Sequence, residues 1–275
     1  MRSEGLNQNN IDRFTGFQDT YDTHRPAAPP IVAELIEGYL ASRPGLVVDV
    51  GCGTGLSSFL WQERADRILG IEPSDDMRSI AERRLQQQAQ QLQHRMSFAA
   101  GYSHELPLGP ETADVITCSQ SFHWMEPVST LAEFARVLRP GGVFAAYDCD
   151  WPPVVDWPVE SAYDALLARA DRIIAAREQP EQLAHKRDKA SHLQTIRDSG
   201  HFRYVREIVF HHSSPFTAER LIGLLLSQGG LQTAFKLGSG ELDEPLASFS
   251  TLVRAWFADQ TRPLLLGYRM RLGVK

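Results

Sequence analysis

The string VVDVGCGTG at residues 47–55 is the stretch on which the fold turns. An apolar run carries Asp49 near its end, Gly51, Gly53 and Gly55 follow in alternation, and Leu56, Phe59 and Leu60 resume at helical spacing. The pattern predicts a buried strand, a ligand-binding loop and the N-terminus of a helix. Glycines allow backbone angles closed to other residues and leave no side chain between loop and ligand. A dinucleotide-binding G-x-G-x-x-G would need glycine or alanine at position 56, where this chain has Leu56. A phosphate-binding Walker loop would need Gly-Lys-Ser/Thr there.

Further strands are expected on either side of this loop. Arg67–Ile71 reads as a second buried strand that delivers Glu72, with Pro73 closing it. Ser74 is placed to cap a helix whose first turn carries Asp75 and Asp76, the signs favoured by the helix dipole. Met96–Ala100, Ala113–Cys118 and Val143–Tyr147 read as strands three to five, with a helix over Val128–Leu138. Before the loop, Pro29 and Pro30 open a helix carrying Ile31, Leu35, Ile36 and Tyr39, and Phe14, Phe17 and Tyr21 share one side of a short helix. Later in the chain, helices are expected at 159–178, 217–228 and 245–258, strands at 205–211 and 264–274, and a helix break at Gly229-Gly230.

In doubly wound sheets ligands bind at the carboxyl ends of the strands. Glu72, 17 residues after Gly55, stands at such an end, where one carboxylate accepts hydrogen bonds from both hydroxyls of a ribose. The segments GYSHELPL at 101–108 and SQSFHWMEP at 119–127 follow strands three and four directly and lie at the same edge. His123 is read as a general base or as a contact to an acceptor, and the alternative is that it packs beside Trp124. His104 is read as exposed.

Taken together, Asp49 before Gly51, Gly53 and Gly55, Glu72, the 101–108 segment, Phe122-His123-Trp124 and Leu138-Arg139-Pro140-Gly141-Gly142 resemble class I S-adenosylmethionine-dependent methyltransferases of the type 11 kind. The small-molecule branch containing the trans-aconitate and phosphonate methyltransferases also carries a segment similar to Tyr21, Arg25 and Pro26 here. The resemblance covers roughly residues 20–148. It implies a Rossmann-like α/β fold, a doubly wound seven-stranded sheet of order 3-2-1-4-5-7-6. It also implies a cofactor-covering segment at 1–28 and a methyltransferase domain at 29–275 with helical insertions at about 155–200 and 217–262. Cofactor contacts are implied for Asp49, Gly51, Cys52, Gly53 and Gly55 in the first motif and for Glu72, Pro73 and Met77 after the second strand. Gly101, Tyr102, Ser103, Ser119 and Gln120 complete that set. Tyr21, Arg25 and His123 are implied on the acceptor side. Tyr102, Ser103 and His104 depart from the usual residues of the third motif.

The function expected is methyl transfer from S-adenosylmethionine, leaving S-adenosylhomocysteine, to a small organic acceptor through a carboxylate, hydroxyl or activated carbon. Two alternatives stand beside it: an S-adenosylmethionine-binding protein without transferase activity, and an NAD-dependent oxidoreductase. Composition narrows the partners. A net charge of −6 over 275 residues gives no global basic surface for nucleic acid, and apolar runs such as Leu221–Leu226 are too short to span a bilayer. The polar N-terminus and three cysteines without C-x-x-C spacing predict a reduced, cytoplasmic protein with no metal cluster, and the sequence leaves monomer and homodimer both open.

Overall fold

The computed structural model describes residues 24–177, 186–238 and 240–275. Tyr21 and the aromatic run from Phe14 lie outside the described residues. Helix α1 spans Pro30–Leu40, with proline in its first turn, where an N–H would have no helical partner. Strand β1, Leu46–Val50, is buried along its whole length and pairs in parallel with β2, Arg67–Ile71, and with β4, Ala113–Ser119. A largely apolar run such as LVVDV is what a parallel strand covered on both faces requires. Strand β2 also pairs in parallel with β3, Met96–Ala99, after the helices α2, Asp75–Gln86, and α3, Gln90–Gln93. Ser74 caps α2 by accepting from the Met77 N–H.

Helix α4, Pro127–Val137, leads into β5, Leu138–Cys149, parallel to β4. The second half contains α5, Trp157–Arg177, α6, His192–Asp198, and the long strand β6, Tyr204–Phe216. Helices α7, Ala218–Leu226, α8, Gly229–Lys236, and α9, Asp243–Phe257, then precede the last strand, β7, Arg262–Val274. Strand β7 inserts antiparallel between β5 and β6, completing a seven-stranded sheet in the order β3-β2-β1-β4-β5-β7-β6. One apolar core fills the space between the sheet and α1, α5, α7, α8 and α9; another lies beneath α4 and α6.

Two local expectations are corrected. No α-helix follows the glycine loop: the chain makes a 3₁₀ turn at Ser58–Trp61 instead. The hydroxyls of Ser57 and Ser58 both bond to buried Asp49, and only the eleven residues 56–66 separate Gly55 from β2, so the segment tightens rather than extends. Gly229-Gly230 does not break a helix but opens α8, because first-turn residues need no preceding helical partner for their N–H groups.

Candidate active site

The carboxyl ends of β1, β2, β4 and β5 open onto a single large cleft. Its floor begins with the glycine loop. Gly51 and Gly53 sit at φ +69° and +56° and border the cleft, and a side chain at Gly51 would collide with Ser121, 2.6 Å from its ideal Cβ. Gly55 has a different task. It faces away from the cleft, where a Cβ would stand 3.0 Å from Phe98 and 3.3 Å from Ala81. Asp49 likewise does not reach the cleft, as the sequence implied it would. Fully buried, it accepts hydrogen bonds from Ser57 (2.6 Å), Ser58 (2.7 Å) and Thr117 (2.9 Å). Burial pushes its carboxyl up and the three hydroxyls pull it back. Asp49 therefore fixes the shape of the loop from behind.

Glu72 does border the cleft. One of its oxygens accepts from the Gly53 N–H and the other from the Ser74 N–H, both at 2.9 Å. Each carboxylate oxygen keeps a second lone-pair direction, so a diol presented from the cleft still finds two acceptors. Burial raises the carboxyl, against the pull of those backbone donors. Pro73, Met77, Gly101, Tyr102 and Ser103 continue this wall, with Ser103 anchored to Thr130 at 2.7 Å. His104, read from sequence as exposed, is half-buried at the cleft with its ring stacked on Tyr102. Thr54 adds a further feature: its hydroxyl is buried at the cleft without a hydrogen-bond partner among the described residues.

At the other end, Ser119, Gln120 and Arg25 border the cleft. Arg25 donates to the Ser227 hydroxyl and carbonyl and to Gln228, tying the N-terminal approach to the end of α7, and lies 5.0 Å over the Trp151 ring. Gln120 is held at φ +55°, its side chain accepting from Lys189.

His123 is not at the cleft. The 3₁₀ turn Phe122–Trp124 rotates successive residues by about a third of a turn, which sends Trp124 to the cleft and His123 into the interior. There its Nδ1 lies 3.6 Å from Asp148, and its ring packs on Trp124 and stacks with His192. Burial holds His123 down to about 4 despite the nearby carboxylate, and His192 likewise. Asp148 takes its ion pairs from Lys189 at 2.8 Å and Arg271 at 3.2 Å, so the histidines stand beside a charge already neutralised.

A histidine whose folded-state value lies below its unfolded one binds fewer protons when folded. Stability is then complete above about pH 6.5 and lost as the pH falls toward 4, by about 3 kcal/mol per residue at most. Neither ring nitrogen of His192 has a hydrogen-bond partner among the described residues, its Nδ1 standing 3.7 Å from Asp148. His192→Phe is therefore expected to unfold at or above the wild-type temperature at pH 7.5 and to flatten the loss between pH 6.5 and 4. Thermal denaturation across that range measures both.

Sequence reasoning missed Thr54, Leu56, Ser57, Met125 and Glu126, and at the far end Tyr147, Cys149, Trp151 and Tyr268. Tyr147 and Cys149 end β5 and were within reach of the strand-end argument. Tyr268 carries no such signal, because its place depends on β7 running antiparallel.

Comparison with known proteins bears on this geometry. Residues 48–146, from β1 to within β5, match the family model of the methyltransferase domain. Residues 48–146 are a methyltransferase domain. A Saccharomyces cerevisiae protein named as a probable S-adenosylmethionine-dependent methyltransferase is 30% identical over 140 residues, 50% of this chain and 47% of that protein. Erythromycin 3''-O-methyltransferase of Saccharopolyspora erythraea is 35% identical over 118 residues, 42% of this chain and 38% of that protein. The chain thus spans about half the length of such relatives or less. The solved structure of an Anaeromyxobacter dehalogenans protein assigned to the type II methyltransferases superposes with a TM-score of 0.63 at 23% identity, covering 91% of this chain and 97% of its own. That likeness extends the fold beyond the domain to the sheet's antiparallel arm. No helix among the described residues is long and apolar enough to cross a membrane.

Proposed function

We propose that this protein transfers a methyl group from S-adenosylmethionine to a small organic acceptor. The observation that carries the reading is Glu72, a buried carboxylate at the end of β2 that faces the cleft beside the glycine loop with acceptor capacity to spare. The residues suit the cofactor. Glu72 would take the ribose hydroxyls, the Gly51–Gly53 backbone would approach the methionine portion, and the orphaned Thr54 hydroxyl would find a partner. Tyr102 and Ser103 would wall the adenine. When bound, the cofactor supplies a methyl group already activated on a sulfonium. The protein's own contribution is to align the acceptor with that methyl and keep water out, effects that together account for up to roughly 7–11 kcal/mol of a barrier.

The helices at about 155–200 and 217–262 would roof the acceptor, with Arg25 and its bonds to Ser227 and Gln228 joining roof to floor. The cofactor-covering segment expected at 1–28 lies outside the described residues except for 24–28. An acidic chain without a global basic surface fits a small acceptor better than nucleic acid, and a cytoplasmic setting fits three free cysteines. The test is turnover: purified protein incubated with S-adenosylmethionine and a library of small carboxylates, alcohols and activated carbon acids should release S-adenosylhomocysteine with at least one of them. Cofactor binding with no product from any class would favour a binding protein without transferase activity.

A further inference from the structure

We propose that Tyr147 and Tyr268 form the acceptor subsite of this cleft, and that the acceptor presents a carboxylate to them. The proposal rests on the methyl-transfer reading above and narrows it to one acceptor class.

The two phenols are brought together by strand register. Cys149 of β5 lies directly opposite Tyr268 of β7, so their side chains share one face of the sheet, and Tyr147, two residues before Cys149, shares it too. Such diagonal neighbours stand about 7–8 Å apart across an antiparallel pair. Both tyrosines border the cleft at 1% and 3% exposure. Neither hydroxyl has a hydrogen-bond partner among the described residues: Ser57 and Ser119 stand near Tyr147 and the Cys149 thiol near Tyr268, all outside hydrogen-bond geometry. A buried hydroxyl without a partner is unfavourable, and two of them facing one cavity call for a ligand atom that accepts from both.

The chemistry of that atom follows from its surroundings. Burial drives both phenols well above their ordinary range, so at neutral pH they donate and do not serve as bases. The Arg25 guanidinium sits above Trp151 and acts on Cys149 across the same space, which adds positive potential there. The candidate proton acceptors are engaged by other groups or belong to other parts of the cleft. His123 faces Asp148, and the Glu126 carboxylate is engaged by the Val128 and Ser129 N–H groups. His104 belongs to the loop after β3, on the other arm of the sheet. An alcohol would have to lose a proton here with no base among the described residues set beside the two phenols to receive it, whereas a carboxylate arrives ionised. Its oxygen forms the new O–CH₃ bond with its own electron pair, the C–S bond breaks with its pair remaining on sulfur, and no proton moves. The products are a methyl ester and a neutral thioether. Trp124 and Trp151 border the remaining space, which suits an aryl or alkyl body.

The test uses benzoate and octanoate, with benzyl alcohol and octanol as their uncharged counterparts. Wild type should bind S-adenosylhomocysteine by calorimetry, bind an acid in its presence by ligand-observed NMR, and convert that acid to its methyl ester without forming an ether from either alcohol. Each single variant, Tyr147→Phe and Tyr268→Phe, should keep S-adenosylhomocysteine affinity within about twofold and weaken acid binding about tenfold, the effect of one lost hydrogen bond to a charged group. The double variant should lose more than either. Ether formation, wild-type acid affinity in the double variant, no acid bound or esterified, or loss of S-adenosylhomocysteine affinity on removing the hydroxyls would each overturn the proposal. Failure of the wild type to bind S-adenosylhomocysteine would instead overturn the methyl-transfer reading on which it stands.

Discussion

Glu72→Ala is expected to weaken S-adenosylhomocysteine binding about 100-fold, which isothermal calorimetry would read directly. Hydrogen bonds to a charged acceptor contribute about 1.5–3 kcal/mol each, and two ribose hydroxyls lost together come to about 3 kcal/mol, or two orders of magnitude. The carboxylate also holds the Gly53 and Ser74 N–H groups, so alanine would loosen the glycine loop and the start of α2 as well. Glu72→Gln separates the two contributions. It keeps the volume and one acceptor oxygen but loses the charge and puts a donor against one of the two backbone N–H groups, so its affinity should fall by about tenfold with a smaller drop in melting temperature than alanine causes. Equal affinity for wild type and both variants would remove Glu72 from the cofactor site.

The second large effect is on stability. Asp148→Ala is expected to destabilise the fold by about 3–5 kcal/mol, the usual result of removing one partner from a buried ion pair. Arg271 is nearly as buried as Asp148, and Glu207 alone would remain to balance it. Lys189 would lose its carboxylate and with it the fixed position from which it bonds to Gln120. At about 2–4 °C per kcal/mol for a chain approaching this size, the melting temperature should drop by about 10 °C. Burial would raise the Asp148 carboxyl, but the adjacent His123 and Lys189 hold it below its ordinary range. A depressed carboxylate contributes stability that is present above its unfolded value of 3.8 and lost as the pH falls below it, so the deficit of Asp148→Ala should shrink in acid. A change in melting temperature under 2 °C at neutral pH would show that the cluster is dispensable. Asp148 also connects stability to the cleft, since Gln120, in a left-handed conformation uncommon outside glycine, is braced by that lysine.

Much of this architecture could be read from the chain because parallel strands buried on both faces leave little ambiguity. The runs at 46–50, 67–71 and 113–119 are mostly apolar or buried, each ends where a loop must meet the ligand edge, and the order of the sheet followed from the resemblance. Glu72 was legible for the same reason. What escaped was the direction in which individual side chains point, which local pattern does not fix. Asp49 and Gly55 belong to the motif yet serve it from behind, because the loop's inner surface must also pack on Phe98 and satisfy three hydroxyls. His123 and Trp124 are adjacent, and a 3₁₀ turn sends one inward and the other to the cleft. Tyr268 reaches the cleft only because β7 reverses between β5 and β6, a long-range pairing with no local signature. The helix at 229–236 was hidden by two glycines that are unfavourable inside a helix and harmless at its first turn.

The central claim is that the cleft between the glycine loop, Glu72 and Trp124 is built for S-adenosylmethionine. Its most direct test is a calorimetric titration of the purified protein with S-adenosylhomocysteine and, separately, with NAD. Saturable one-to-one binding of S-adenosylhomocysteine and none of NAD is the predicted result; NAD binding without S-adenosylhomocysteine binding would contradict it.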